Sequence, residues 1–167
     1  NPIVPRADQI PDADAQAAWA SEIVRRVRRT REGTAKTTDW PTLRKLIIGL
    51  INEGLVPQLF AEGAYNDRLE EICDIPKGKV LWWFDKTDMK RAKQTVGQVA
   101  CLAGNVPLDL LCTGTPDDVR VYCRELIDAA GKGGGFILSS GAGLQGSKVA
   151  NVKAMMEAAK EYGVYRK

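Results

Sequence analysis

Apolar residues recur along this chain with two different spacings, and stretches of the two kinds alternate. Helical spacing is clearest between Asp39 and Gly54, where apolar side chains fall at positions i, i+3, i+4, i+7 and i+8. These side chains are Leu43, Leu46, Ile47, Leu50 and Ile51. Asp39 is suited to cap the helix, Pro41 is tolerated in its first turn, and Gly54 is a typical stop. The pattern therefore predicts an amphipathic helix.

Short apolar runs follow this helix and predict strands. The run Lys79–Phe84 (KVLWWF) is nearly all apolar, as in a strand that is buried on both faces. Strands are predicted at 55–60, 79–84, 99–103 and 136–139, and helices at 67–74, 87–96, from Thr115 onward, and 148–162. The residues expected to face inward are Met89, Ala92 and Val96, then Val119, Cys123, Leu126 and Ala130, and in the last helix Val149, Val152, Met156 and Ala159.

Alternation of strands with helices predicts an α/β fold with a parallel sheet and right-handed crossovers. Two architectures fit four such strands: a small doubly wound sheet, or half of an eight-stranded (β/α)8 barrel. A complete barrel takes roughly 250 residues, and this chain has 167. The spacing of apolar residues does not choose between the two.

The first part of the chain has a different composition. Residues 1–11 contain three prolines and are predicted to be irregular. A helix is predicted from Asp12 or Asp14 to about Arg31, with Trp19, Ile23, Val24 and Val27 at helical spacing. The five arginines between positions 25 and 31 are interpreted as a solvated helix face. The net charge of +3 is too small to indicate binding to nucleic acid or to a membrane surface.

Histidine is absent from the sequence, and this absence excludes several kinds of chemistry. Histidine is part of serine–histidine–aspartate triads, of haem ligation and of most zinc enzymes. It is also the commonest general base. The four cysteines form no C-x-x-C pair, which favours reduced thiols in a cytoplasmic protein. No apolar run approaches 18 residues, so no membrane span is predicted.

Functional groups in both architectures gather beyond the carboxyl ends of the parallel strands. Glu62 and Asp85 stand at two of these ends and are the candidate catalytic residues, with a structural hydrogen-bonding role as the alternative. The candidate substrate-binding residues are Gln58, Asn105, Gly141 and Gly143. The glycine-rich stretch 131–135 precedes a strand instead of following one, so we interpret it as a connector and not as a phosphate-binding loop.

Several short motifs occur here in the order and spacing of one family. They are Pro57–Phe60, Lys90–Lys93 ahead of Gly97, Ala103–Pro107, Gly114–Val119, Gly134–Gly141, Asn151–Met155 and Glu161–Gly163. Together they resemble the second half of the uroporphyrinogen decarboxylase superfamily barrel. The resemblance favours the C-terminal half of a (β/α)8 barrel over residues 39–167. It leaves residues 1–38 as an unmatched N-terminal segment.

The sequence also departs from the patterns of that superfamily. Decarboxylases similar to this chain have Gly-His-Gly after the last strand, where this chain has Gly141-Ala142-Gly143. They have Phe-Asp-Ser where this chain has Phe60-Ala61-Glu62. The zinc ligands of the methyltransferase branch correspond to Phe60, Glu62 and Ala142, of which only Glu62 could bind a metal. The resemblance therefore implies no metal site in this chain.

The resemblance implies a fragment of a divergent corrinoid-linked methyltransferase. Such a fragment is expected to hold no cofactor of its own, and a corrinoid protein is its possible methyl-group partner. The alternatives are a uroporphyrinogen decarboxylase acting on a tetrapyrrole, and a degenerate half barrel that acts only by association. Family members draw catalytic groups from the first half, so this fragment alone is expected to be inactive. Its strand edges predict association with that half or with a second copy, and the alternative is a monomer in which residues 1–31 fold back as a cover.

Overall fold

The computed structural model describes residues 40–164, and the predicted helix at 12–31 lies outside them. The chain divides into two compact units, residues 1–57 and 58–167. In the first unit, helix α1 spans Trp40–Asn52 as the apolar spacing predicted, and Ile47 is its buried side chain. The chain leaves α1 through Gly54, whose φ of +80° lies in the region that favours glycine.

The second unit is built on a four-stranded parallel sheet. Its strands are β1 (Gln58–Ala61), β2 (Leu81–Phe84), β3 (Cys101–Val106) and β4 (Phe136–Ser140). Their spatial order is β1-β2-β3-β4, the same as their order along the chain. A doubly wound sheet reverses its strand order at a switch point, whereas a barrel adds each strand beside the previous one. The observed order therefore resolves the choice in favour of a partial barrel.

Four helices of this unit follow β2 along the chain, two of them between β3 and β4. They are α2 (Met89–Gln94), α3 (Leu108–Thr113), α4 (Pro116–Ala130) and α5 (Val149–Tyr162). The predicted start at Thr115 is confirmed, because its side chain and that of Asp118 form a reciprocal capping box at the beginning of α4. The inward residues predicted for α2 and α4 are buried, and both helices pack against β3.

Three predictions about helices are corrected. The helix expected at 67–74 is two single 3-10 turns, Asn66–Arg68 and Glu71–Cys73. Helix α3 was not predicted at all. In α5 the expected inward residues Val149 and Met156 are 84% and 52% exposed, and the buried residues are instead Asn151, Ala154, Met155 and Ala158.

The buried polar side chain of Asn151 explains the wrong face of α5. Its amide group donates hydrogen bonds to the carbonyl oxygens of Leu111 and Gly114, both at 3.0 Å. These carbonyls lie at the end of α3, where a helix leaves its last acceptors unsatisfied. Apolar spacing alone assigns Asn151 to the surface, because it does not register a buried side chain that caps a neighbouring helix.

The sheet has two faces with different surroundings. Across the strands, one register row is Leu59, Trp82, Leu102 and Phe136, and the next is Phe60, Trp83, Ala103 and Ile137. We call the side of Trp82, together with Val80 and Phe84, the covered face, because its side chains are buried. The side of Trp83 is the open face, on which Phe60 is 46% and Ile137 50% exposed.

Candidate functional site at the carboxyl edge of the sheet

Asp85 follows β2 directly and connects the chain segments that leave β1 and β2. Its carboxylate oxygen Oδ2 accepts a hydrogen bond from the Gly63 N–H at 3.1 Å. Its own N–H donates to the Ala61 carbonyl oxygen at 3.3 Å, which continues the parallel pairing of β1 with β2. The side chain is half-buried. Asp85 is thus both a structural acceptor and a carboxylate at the functional edge.

Gly141 begins the turn after β4 and lies against Asp85. Its N–H donates to the Val106 carbonyl oxygen at 2.8 Å. A Cβ atom at this position would lie 2.8 Å from the Asp85 carbonyl oxygen and 3.1 Å from its Oδ1. Only glycine permits this approach without displacement of the backbone. The structure therefore brings two of the predicted site residues together, across the intervening strand β3.

Glu62 is placed at the same edge of the sheet, directly after β1, and is exposed. Gly143 is also exposed, two residues beyond Gly141 in the turn after β4. These positions agree with the expected location of a site at the carboxyl ends.

Asn105 lies near the end of β3, but its side chain is hydrogen-bonded within the protein. It is buried, and its Nδ2 donates to the Thr87 carbonyl oxygen at 2.7 Å. The hydroxyl of Thr87 in turn accepts the Tyr65 N–H at 3.1 Å. Asn105 and Thr87 thereby hold together the segments that follow β1 and β2. Sequence reasoning missed Thr87, which looks like any polar residue in a turn.

Gln58 is not brought to this edge. It is the first residue of β1 and pairs in register with Leu81, the first residue of β2. In a parallel sheet the strands run in the same direction, at about 3.3 Å per residue. Gln58 therefore lies at the amino end of the sheet, roughly 10 Å from the carboxyl edge. The sequence prediction extended this strand back to residue 55, which made Gln58 look closer to its end.

Trp83 is a further residue at this edge that the sequence analysis did not single out. Its indole Nε1–H donates to the Ser140 carbonyl oxygen at 2.7 Å, although β3 lies between the two strands. Its ring also contacts Phe60, with ring centroids 4.7 Å apart and planes tilted by 48°. The run KVLWWF gave no signal for this role, because it contains two adjacent tryptophans and does not show which one faces outward.

The open face is apolar at its centre, and two carboxylates and one lysine, Lys86, follow its first two strands. None of the strand residues in register on this face is a lysine or an arginine. Its central row is Phe60, Trp83, Ala103 and Ile137, and Glu62 and Asp85 follow the first two strands. A ligand at this edge would meet carboxylates and an apolar floor.

The site does not fit the zinc ion that the methyltransferase branch of the resemblance implies. Phe60 carries a hydrocarbon ring and Ala142 a methyl group, so Glu62 is the single possible ligand of the three corresponding positions. Within residues 40–164, no three His, Cys, Asp or Glu side chains are grouped to hold a metal ion.

The thiols are poor nucleophiles in this structure. Burial raises the pKa of Cys123 to about 11. Burial also raises the pKa of Cys73 and of Cys101 above the ordinary value of a thiol. Because the thiolate is the reactive form, burial disfavours these three cysteines as nucleophiles.

Comparisons with known proteins agree with this architecture. The family model described as uroporphyrinogen decarboxylase (URO-D) matches residues 16–162, so the match begins inside the segment 1–38 for which the sequence analysis found no resemblance. A methyltransferase from Methanosarcina mazei has a similar structure, with a TM-score of 0.59 and 23% identity. The similarity covers 72% of this chain and 35% of that one. No curated protein matches the chain.

The likeness in fold and the sequential strand order together identify the sheet as part of a (β/α)8 barrel. The chain spans about a third of the length of the Methanosarcina structure it resembles. Within the described residues, helices are too short or too polar to cross a membrane.

Proposed function

Because this chain belongs to the uroporphyrinogen decarboxylase family, we propose that it forms the C-terminal half of a corrinoid-linked methyltransferase barrel. One observation carries this proposal: two carboxylates, Glu62 and Asp85, follow the strands of an apolar open face. Asp85 and Glu62 supply the carboxylates, and Phe60 and Trp83 supply the aromatic floor.

The described strands of this half offer little to the substrate of the decarboxylases. A tetrapyrrole with many carboxylates needs arginines or lysines, whose charge-assisted hydrogen bonds hold each carboxylate. The strand residues of the open face contain neither. A neutral methyl donor with an apolar body, such as a methoxylated aromatic ring, suits an aromatic floor and carboxylates that accept hydrogen bonds.

The residues of this half then have defined tasks in methyl transfer. The methyl group leaves its donor oxygen when the carbon–oxygen bond breaks and its electron pair stays on that oxygen. A corrinoid held by a partner protein would supply the nucleophile for this transfer, and Asp85 and Glu62 would face the donor. Asp85 and Glu62 orient the polar groups of the donor and relay the proton that the leaving oxygen takes up. Gly141 keeps the turn after β4 close to Asp85, and Gly143 shapes the same turn two residues later, against the Gln145 side chain.

A second polypeptide surface completes the proposed site. The described strands β1 and β4 are the two edges of the sheet, and four strands are half the number of a closed barrel. We propose that the first half of the barrel, carried by a longer gene product or a separate chain, closes the open face. A second copy of this chain is the alternative occupant.

The direct test is methyl transfer by the complete assembly. The longer gene product, or this chain mixed with the first half, is incubated with 2-methoxyphenol and free cob(I)alamin, and the corrinoid absorbance is followed. We expect transfer in the assembly and none by this chain alone. Asp85→Asn should slow transfer by on the order of a hundredfold, whereas Asp109→Asn on the exposed side of α3 should not.

A parallel incubation with uroporphyrinogen distinguishes the alternatives. Release of carbon dioxide without methyl transfer would replace this proposal with tetrapyrrole decarboxylation. A well-folded assembly with neither activity would favour a half barrel that acts only by association.

A further inference from the structure

We infer that Trp83 is a positioning residue of this site, whose indole fixes the turn after β4 relative to Asp85. The catalytic consequence of this role rests on the proposed function, whereas the structural link does not. The link joins β2, β4 and the Asp85 carboxylate through contacts that the sequence analysis did not anticipate.

The first step is the hydrogen bond between two strands that are not neighbours. Trp83 in β2 donates to Ser140 in β4 at 2.7 Å, across about 10 Å of sheet, or two strand spacings. Ser140 pairs with Val106, three residues beyond the row of Trp83, and the β3 residue in register with Trp83 is Ala103. Its single methyl group leaves room for the indole to lie over β3.

The second step is the support of the indole from its other side. The Phe60 ring packs against it with centroids 4.7 Å apart, in a tilted geometry that is favourable for aromatic pairs. Trp83 is thereby held between β1 and the Ser140 carbonyl. Its orientation is fixed even though it is only half-buried.

The third step leads from Ser140 to the carboxylate. Gly141 is the next residue, and its backbone is so close to Asp85 that a Cβ would lie 3.1 Å from Oδ1. Ser140 and Gly141 move together, so a shift of the Ser140 carbonyl changes the space beside this oxygen. The other oxygen, Oδ2, is held by the Gly63 N–H. Trp83 therefore positions the segment Ser140–Gly141 beside the Asp85 carboxylate.

Exchange of Trp83 for phenylalanine tests this link, since the variant keeps an aromatic ring and loses the N–H donor. The Ser140 carbonyl would lose the indole donor and keep the Ser139 hydroxyl, so the turn should open more often and amide hydrogen exchange at Ser140 and Gly141 should become roughly fivefold faster. Trp82→Phe is the matched control, with the same change one residue away on the covered face. It should lower global stability without a selective effect at these two amides.

The comparison of these two variants also gives the result that would contradict the inference. Exchange at Ser140 and Gly141 that is no faster in Trp83→Phe than in Trp82→Phe would overturn it. Should Trp83→Phe not fold, the indole N–H of the unaltered protein decides by NMR. An exchange rate equal to that of a fully exposed tryptophan would show that the bond to Ser140 is not maintained.

A kinetic measurement on the complete assembly separates positioning from packing. With 2-methoxyphenol as donor, Trp83→Phe should lower kcat by about tenfold and leave KM within about twofold, because misplacement acts mainly in the transition state. Faster exchange with an unchanged kcat would also overturn the positioning role. If no form of the protein transfers methyl groups, the proposed function fails, while the exchange experiment still decides the structural link.

Discussion

The two faces of the sheet are both apolar, yet only one of them is buried within the described residues. On the covered face, Trp82 and Phe84 are almost completely buried. On the open face, Phe60 and Ile137 keep about half of their surface exposed. Strands with one wet face normally alternate apolar and polar residues, whereas strands buried on both faces do not. The apolar pattern of this sheet is thus typical of strands that are buried on both faces.

The largest expected effect tests the difference between the faces directly. Phe84→Ala removes a ring from a fully buried position on the covered face and should lower the free energy of unfolding by about 3–5 kcal/mol. Phe60→Ala removes the same ring from the open face and should cost less than about 1.5 kcal/mol in the isolated chain. Urea denaturation followed by circular dichroism measures both. Equal losses would show that the open face is already covered.

A second, somewhat smaller effect concerns the close approach of β3 to β2. Gly104 has a φ of +118°, and a Cβ there would overlap the Phe84 carbonyl oxygen. Gly104→Ala should therefore destabilise the protein by about 2–4 kcal/mol, through strain and displacement of backbone. Gly78→Ala is the matched control, because Gly78 also has a positive φ but open space around it.

Chemical denaturation of these two glycine variants separates the contributions. Gly78→Ala isolates the conformational cost, on the order of 1 kcal/mol. A loss at Gly104 no larger than that at Gly78 would mean that β3 can move away from β2. Such movement would mean that the strands are packed less tightly than the structure indicates. The difference between the sheet interior and the exposed open face would then be smaller.

The fold was predictable from sequence where one interaction dominates. The alternating apolar runs predicted all four strands, and Thr115-Pro116-Asp117-Asp118 predicted the start of α4, because capping and burial act locally. The strand order was not predictable, since parallel pairing depends on contacts distant in sequence. The buried face of α5 was predicted wrongly, because Asn151 is buried by hydrogen bonds to α3. The spacing of apolar residues does not reveal such a buried polar side chain.

The site was predictable only in part, for a related reason. Parallel strands bring their carboxyl ends to one edge, so Asp85, Glu62 and Gly141 could be placed together without coordinates. The sequence does not show which side chains are consumed by structure, as Asn105 is by Thr87. Nor does it show the direction of Trp83, because KVLWWF is apolar at every position after its first lysine.

An intermediate effect concerns association through the open face. Phe60→Glu places a charge in its apolar row and should weaken association of the chain, with itself or with the first half, by roughly tenfold or more. Val121→Glu is the control, since Val121 is also exposed but lies on helix α4. Sedimentation or light scattering at micromolar concentration gives the result. A compact monomer for the unaltered chain, with no binding of a hydrophobic dye, would contradict the prediction.

The smallest expected effect belongs to α4, the helix that packs on the covered side against β3 and β4. Hydrogen bonds from the Thr115 side chain, and then from its backbone N–H, lower the pKa of Asp118 in the folded protein. A lowered folded-state pKa contributes stability that is fully present above the ordinary aspartate value, about 3.9, and is lost as pH falls through the folded value. Denaturation midpoints measured from pH 5 downward should therefore fall less steeply in Asp118→Asn than in the unaltered protein. Asp117→Asn, at the same helix end, should retain the steeper fall. If the denaturation midpoints of all three proteins fall equally below pH 5, this cap contributes nothing to the stability of the covered face.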